Sequence, residues 1–344
     1  MYVPPYGYRP PSYYQPPSYY QPPDYSLLEK KEIRSRSNQI GLAAIGFLAF
    51  STILPLICTM LLRVFGYPFN GSVEFSYLTP IMYFLMIGTV YCLSLFLPFF
   101  VLIKAANVPP AEVLPFHKAK FGVCAGCVFF GVAVCMLSNI PANWISAILQ
   151  EIGFSGEAPS YPEANTLAGN IIYFIIIAVV PPLFEEFVFR GVILGRLRRF
   201  GDGFAILASA LLFGLFHGNF IQIPFAFLVG LVLGFVVVRT NNLWVAIAIH
   251  FINNAFAVCM EFLSRYSADN VYLAANNAFF LSMCVLGLLS AILLSVRYKS
   301  FFRLKSPDSA MPAGARFGAF FSSPGVLIFS CFCVLEAVLM LWMY

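Results

Sequence analysis

Three ionisable residues lie inside an otherwise apolar stretch, VVPPLFEEFVFRGVILGRLRRF, which runs from Val179 to Phe200. They are Glu185, Glu186 and Arg190. Glu186 and Arg190 are four residues apart, so on a helix they share one face and can form an ion pair. Glu185 lies about 100° further round the helix and lacks this partner. A carboxylate without a counter-charge in an apolar site binds a proton more readily, as a general base must.

Two other apolar stretches also carry polar residues. FGLFHGNF contains His217, and AIAIHFINNAF contains His250 and Asn254. His250 and Asn254 are four residues apart and therefore share a helix face. Carboxylate, imidazole and carboxamide groups together can supply a base and hydrogen-bond donors to a reacting carbonyl group.

The composition identifies the environment of these groups. The chain has 344 residues, of which 60% are hydrophobic and 10% charged, against roughly 25% charged residues in soluble domains. A bilayer accepts this composition as helices of about 20 apolar residues. The sequence therefore predicts an all-α polytopic membrane protein, and no segment resembles a nucleic-acid-binding face. Each ionised side chain at mid-bilayer costs about 2.5–3.5 kcal/mol, so three within six residues indicate a protein-lined cavity.

Hydropathy predicts about nine membrane spans (eight or nine), within the limit of about ten helices that the chain length sets. Of the 20 Lys and Arg residues, Arg63 and Arg265 fall in loops on one side, Arg190 lies within a span, and the others fall on the opposite side. Because basic loops remain in the cytoplasm, we expect a cytoplasmic N-terminus and an external C-terminus. The predicted spans are 39–62, 77–103, 119–140, 167–198, 203–217, 221–238, 242–262, 276–296 and 323–343.

The candidate residues reach similar depths in this topology. At 1.5 Å per residue from the cytoplasmic ends, Glu185 and His217 lie about 20 and 21 Å deep, and His250 and Asn254 about 14 and 20 Å deep. Residues on three spans must lie at a similar depth if they are to form a single intramembrane site. A Pro181–Pro182 pair is expected to kink the fourth span one turn before the glutamates and to make room for a cavity.

Two pairs of glycines have the G-x-x-x-G spacing that lets helix backbones approach closely. These are Gly122 with Gly126 and Gly230 with Gly234. Close helix packing is the expected role of both pairs.

Three motifs follow one another along the chain: E-E-x-x-x-R at Glu185–Arg190, F-x-x-x-H ending at His217, and H-x-x-x-N ending at Asn254. In this order they resemble the CAAX-protease and bacteriocin-processing (CPBP, or Abi) family of intramembrane endopeptidases. That family includes CAAX prenyl protease 2-like proteins. The resemblance covers about residues 165–260. It implies a glutamic-type peptidase in which Glu185 activates water and His217 orients it. It further implies that His250 and Asn254 stabilise the oxyanion, with Glu186 and Arg190 as a structural pair and Phe213 as a cavity wall.

Four parts are predicted along the chain: a disordered Pro/Tyr-rich cytoplasmic tail (1–38), N-terminal transmembrane helices (39–164), the catalytic core (165–262) and C-terminal transmembrane helices (263–344). The tail has a six-residue repeat and three P-P-x-Y matches, which end at Tyr13, Tyr19 and Tyr25. These could dock a WW-type domain, or the tail could be a low-complexity tether.

No cofactor is expected. Two Glu and two His would suit zinc, but H-E-x-x-H is absent and the family is generally regarded as metal-independent. The expected partners are the lipid bilayer and a peptide or protein substrate, lipidated or not, of the CAAX type or of a peptide-maturation or bacteriocin-immunity pathway. A multi-pass protein of a prokaryotic cell membrane is the expected location.

Two other functions are compatible with the sequence. Intramembrane Glu and His residues also build proton relays, as in a proton-coupled transporter. The Pro/Tyr tail could instead serve a non-catalytic membrane scaffold.

Overall fold

A computed structural model describes residues 24–67, 78–154, 161–163, 165–305 and 308–343. Those residues form helices, with an isolated β-bridge between Phe116 and Asn242. The helices are α1 (Tyr25–Val64), α2 (Pro80–Ala105), α3 (Pro110–Val113), α4 (Phe121–Glu151), α5 (Leu167–Phe200), α6 (Asp202–Phe216), α7 (Gln222–Thr240), α8 (Leu243–Tyr266), α9 (Asp269–Arg297), α10 (Ala313–Phe321) and α11 (Pro324–Met343).

Eight of these helices in the described ranges are long and apolar enough to cross a membrane, namely all except α3, α6 and α10. The predicted all-α, polytopic fold class is confirmed. Each predicted span corresponds to a helix, but the fifth, α6, has only 15 residues. A helix of that length extends about 22 Å, short of the roughly 30 Å hydrocarbon core. It is therefore too short to cross that core on its own.

The first helix begins earlier than the composition suggests. The prediction that residues 1–38 form a disordered tail is wrong for residues 25–38, which form the first turns of α1. Asp24 starts the helix because its carboxylate accepts hydrogen bonds from the backbone N–H groups of Ser26 and Leu27. The motifs ending at Tyr13 and Tyr19 lie outside the described residues.

Helix α5 carries both glutamates and has two π-helical segments. Ile175–Val179 and Phe187–Ile193 flank the α-helical segment Val180–Glu186. Pro181 and Pro182 lie in the first turn of that segment and lack the N–H groups that would hydrogen-bond to the preceding turn. The kink predicted at Pro181–Pro182 stays a prediction. The structure shows π-helical segments on both sides of the pair within a continuous helix, a form common at functional sites.

The helices that carry the candidate residues pack around α4 and α7. Helix α4 contacts α7, α8 and α9, α6 packs along α7, and α8 packs against the first π-helical segment of α5. At the α6–α7 crossing, a Cβ atom on Gly230 would lie 3.0 Å from the Cα and Cβ atoms of Ala210. Close packing is therefore confirmed at Gly230. The same prediction is wrong at Gly122, which has no neighbour within 4 Å of a Cβ atom.

Gly230→Leu should destabilise the bundle, because the larger side chain would force α6 and α7 apart. Overpacking of this kind costs about 1–3 kcal/mol. Thermal unfolding of the detergent-solubilised protein should show a midpoint several degrees lower. Gly122→Leu is the matched control and should leave the midpoint unchanged. Equal midpoints for the two variants would contradict the assignment of Gly230 to a packed crossing.

Candidate active site

Four of the six polar residues predicted from the three motifs line one cavity of about 440 Å³, called here the active-site cavity. Glu185 reaches it from α5, His217 from the end of α6, and His250 and Asn254 from α8, while residues of α2 and α7 complete its wall. Glu186 and Arg190 lie behind this wall and are fully buried. The motifs are thus divided between groups that face the cavity and groups that support them.

Glu185 has two differently placed oxygen atoms. The Tyr91 hydroxyl on α2 donates a hydrogen bond to Oε1. The other oxygen, Oε2, lies 3.9 Å from His250 Nε2 and has no hydrogen-bond partner among the described protein groups. One oxygen is therefore fixed by the protein, and the other is a buried acceptor beside His250 that no described protein group satisfies.

Glu186 forms the predicted ion pair and has a second partner. Its Oε1 atom accepts hydrogen bonds from Arg190 Nη1 at 2.8 Å and from His250 Nδ1 at 2.9 Å. An ionised carboxylate only accepts, so the Nδ1 atom of His250 carries a proton. The remaining nitrogen, Nε2, faces Glu185. Glu186 therefore fixes the orientation and the tautomer of His250, which is a larger role than the structural pairing predicted from the sequence.

His217 caps the C-terminus of α6, and its Nδ1 atom lies 2.8 Å from the carbonyl oxygen of Phe213. A carbonyl group can only accept, so Nδ1 donates and Nε2 of the neutral ring carries a lone pair. The Phe213 ring also lies under the Arg190 guanidinium, with 4.1 Å between the guanidinium carbon and the ring centroid. Phe213 thus joins the buried ion pair to His217 through a cation–π contact, besides lining the cavity.

The proline pair explains how Asn254 is held. In an α-helix the Ile177 carbonyl would accept from residue 181, and in a π-helix from residue 182, but both residues are proline and neither has an N–H group. Asn254 Nδ2 donates to this carbonyl at 3.3 Å. A carboxamide has two N–H donors, so one remains for a ligand.

A tight turn follows His217. Gly218 has a φ of +57°, and a Cβ atom there would lie 3.0 Å from the carboxylate of Glu336 on α11. Glycine adopts this positive φ without strain and has no Cβ atom to clash with Glu336. The sequence offers no motif around Glu336, and the structure places it against the turn that positions His217.

The residues present do not fit a zinc site. Glu186 Oε1 already accepts hydrogen bonds from Arg190 Nη1 and His250 Nδ1, so it is not free to bind a metal ion. Throughout the part of the chain that the structure describes, no three His, Cys, Asp or Glu side chains are grouped so that they could hold a metal ion. Metal-independent chemistry stays a prediction.

Tyr91 is the main site residue that the sequence does not reveal. It is one of 18 tyrosines and belongs to no motif, since α2 lies outside the segment that resembles the protease family. Its contact with Glu185 exists only in the folded chain, where α2 packs against α5.

Residues 167–256 match the family of Rce1-like type II CAAX prenyl endopeptidases. The resemblance predicted from the motifs is confirmed. This Rce1-like region contains Glu185, Glu186, Arg190, His217, His250 and Asn254, and it lacks Tyr91.

Two bacterial proteins are similar to the chain. It is 33% identical over 141 residues to the membrane-embedded CAAX protease MroQ of Staphylococcus aureus (strain USA300), a match that covers 38% of this chain and 57% of MroQ. It is 26% identical over 207 residues to YdiL of Bacillus subtilis (strain 168), a presumed membrane peptidase, which covers 60% of this chain and 82% of YdiL. The chain thus spans little more than half the length of MroQ. No solved structure matches it.

The donor arrangement in the Rce1-like region predicts that the purified protein holds far less than one zinc ion per chain. The protein is purified without chelators and then dialysed against zinc. Elemental analysis then measures the number of zinc ions per chain. His250→Ala provides the comparison, because it removes a candidate ligand. One zinc per chain in the unmodified protein, lost in His250→Ala, would show that the site is a metal centre.

Proposed function

We propose that the protein is an intramembrane endopeptidase in which Glu185 activates a water molecule. The observation that carries this proposal is the approach of Glu185 Oε2 to His250 Nε2, 3.9 Å apart inside a bundle of membrane-spanning helices. A carbonyl group bound beside them would have a base on one side and a hydrogen-bond donor on the other. The match of residues 167–256 to an endopeptidase family supports the same reaction.

In the proposed reaction, water donates one proton to Glu185 and forms its other hydrogen bond to Nε2 of His217. The water oxygen bonds to the carbonyl carbon of the scissile peptide, and the π electrons move to the carbonyl oxygen. That oxyanion accepts hydrogen bonds from Asn254 Nδ2 and protonated His250 Nε2. Glu185 then transfers its proton to the amide nitrogen as the C–N bond breaks, which restores its carboxylate.

Glu186 has a specific part in this scheme. Its negative charge beside Nδ1 stabilises the positively charged ring that His250 needs in order to donate to the oxyanion. A single oxyanion donor contributes about 2.7–4 kcal/mol in other hydrolases. Glu186 is therefore a positioning residue that acts through His250, and Arg190 compensates the charge that Glu186 retains in the apolar interior.

The proposed substrate is a peptide or protein, lipidated or not, that enters the cavity from the membrane or from an aqueous face. MroQ is named as a CAAX protease, and we extend to this chain only the broader class of membrane-associated peptide substrates. The bacterial relatives support a prokaryotic cell membrane as its location. The distribution of basic loops favours a cytoplasmic N-terminus.

Glu185→Gln should abolish proteolysis, because the amide cannot accept the proton from water. Loss of a general base lowers rates by about 10²–10⁴-fold. The measurement is quantitative profiling of peptide termini in membranes from cells that express the unmodified protein or the variant at equal levels. Termini that disappear in Glu185→Gln identify substrates.

Glu151→Gln is the matched control, since Glu151 is an exposed residue at the end of α4. It should leave the profile unchanged. Identical profiles for the unmodified protein and Glu185→Gln, in cells where deletion of the gene has a phenotype, would contradict the protease assignment. A transporter or a scaffold would then be favoured.

Tyr91→Phe should lower the rate of cleavage of a substrate so identified by about 10–100-fold, because a hydrogen bond to a charged group contributes about 1.5–3 kcal/mol. The change keeps the ring and removes only the donor to Glu185. Tyr161→Phe, which removes a hydroxyl from the same cavity wall, is the control and should retain activity. Equal activity of both variants would remove Tyr91 from the mechanism.

A further inference from the structure

A second cavity, of about 890 Å³, adjoins the active-site cavity. The two share His217, Phe225, Asn253 and Asn254 in their walls. From this shared wall the second cavity extends between α4, α7, α8 and α9, towards the C-terminal end of α8 and the first turns of α9. A ligand in the second cavity would therefore reach the candidate catalytic groups.

The second cavity is lined by an unusual number of carboxamide side chains, and it is called here the amide-lined cavity. Four helices contribute them, so they do not come from one polar segment. They are Asn139 and Asn143 on α4, Gln222 on α7, Asn253 and Asn254 on α8, and Asn276 and Asn277 on α9. Polar side chains within membrane-spanning segments are costly and are retained mainly for function.

Only one of these carboxamides joins two helices among the described residues: Asn254, which donates to the Ile177 carbonyl of α5. Among the described residues, Asn139 donates to carbonyl groups of its own helix, at Cys135 and Met136. Asn253 donates to its neighbour Asn254. Interhelical hydrogen bonding, which is the usual role of such residues in membrane bundles, therefore explains Asn254 and leaves the other six without this role.

The charges around the cavity restrict what it can bind. Among the described residues that line either cavity, there is no Lys or Arg. The carboxylate in the amide-lined cavity, Glu261, is paired with Arg265 and accepts a hydrogen bond from Tyr173. A phosphate, a free terminal carboxylate or a cationic side chain would therefore find no free counter-charge in this wall.

Neutral peptide groups match the wall best. Each carboxamide offers two N–H donors and a carbonyl acceptor, which complement the C=O and N–H groups of a peptide backbone. A peptide that enters a membrane bundle in an extended form leaves these backbone groups unpaired, and each unpaired group costs several kilocalories per mole in an apolar medium. Carboxamides can pair with such groups whatever the peptide's side chains are.

We propose that the amide-lined cavity binds the main chain of an uncharged, extended segment of the substrate, next to the peptide bond that is cut. This inference rests on the proposed endopeptidase function and adds a subsite to it. Recognition of the main chain makes the subsite tolerant of side-chain identity and intolerant of charge. It also favours an internal peptide segment over a free C-terminus at this position.

The test uses Asn276→Leu/Asn277→Leu, since α9 contributes no residue to the catalytic machinery. The probe is a short uncharged peptide, blocked at both ends, whose sequence spans a Glu185-dependent cleavage site from the terminus profiles. The double variant should raise KM by about thirtyfold and leave kcat within about twofold, because two hydrogen bonds of about 1 kcal/mol each are lost on binding. Ser282→Leu on the outer face of α9 is the control and should change neither constant.

A second probe separates main-chain binding from hydration of the cavity. It is the same peptide with N-methyl groups on the backbone nitrogens of the segment assigned to the amide-lined cavity. N-methylation should weaken binding to the unmodified protein by about tenfold and have little further effect on the double variant. Equal KM values for the double variant and Ser282→Leu would overturn the inference and leave the protease intact. Absence of any Glu185-dependent cleavage site would overturn the proposed function and this subsite with it.

Discussion

The buried ion pair between Glu186 and Arg190 is the interaction on which the rest of the site depends. Both side chains are fully buried, so each would impose a penalty of several kilocalories per mole without the other. Their partners are also groups of the site, because Glu186 bonds to His250 and Arg190 lies over Phe213. One ion pair therefore joins α5, α6 and α8 and fixes their relative rotation. Burying the two charges costs free energy, and the buried pair in turn fixes the position of the His250 ring.

The backbone of α5 contributes as much as its side chains. The Pro181–Pro182 pair leaves the Ile177 carbonyl without an intrahelical donor, and Asn254 takes the place of that donor. An unsatisfied carbonyl would be costly in lipid, so the proline pair and the asparagine depend on each other. Because Asn254 also lines the active-site cavity, the repair of a helix defect places a hydrogen-bond donor beside Glu185.

The sequence allows some of these relations to be predicted and not others. Spacing of four residues predicts the Glu186–Arg190 pair and the shared face of His250 and Asn254, because helix geometry is local and periodic. Counting residues from the basic loops predicts that the motifs reach one depth. The contact of Tyr91 with Glu185 and that of Glu186 with His250 depend on how helices rotate against one another, and no local pattern encodes this. Composition also predicts the wrong start for α1. Asp24, which follows the last proline pair of the repeat, caps the helix, so α1 begins at Tyr25.

The short helix α6 explains why the site lies within the bundle and not at its surface. A span that ends after 15 residues exposes the last carbonyl groups of a helix and a turn at a depth where lipid cannot hydrogen-bond to them. Side chains of the turn satisfy some of its backbone groups. The Asn219 side chain accepts hydrogen bonds from the backbone N–H groups of Ile221 and Gln222, where α7 begins. On the other side of the turn, Nδ1 of His217 donates a hydrogen bond to the Phe213 carbonyl oxygen. His217, at this turn, lines both cavities, so the end of the short helix is what brings it into the same site as Glu185.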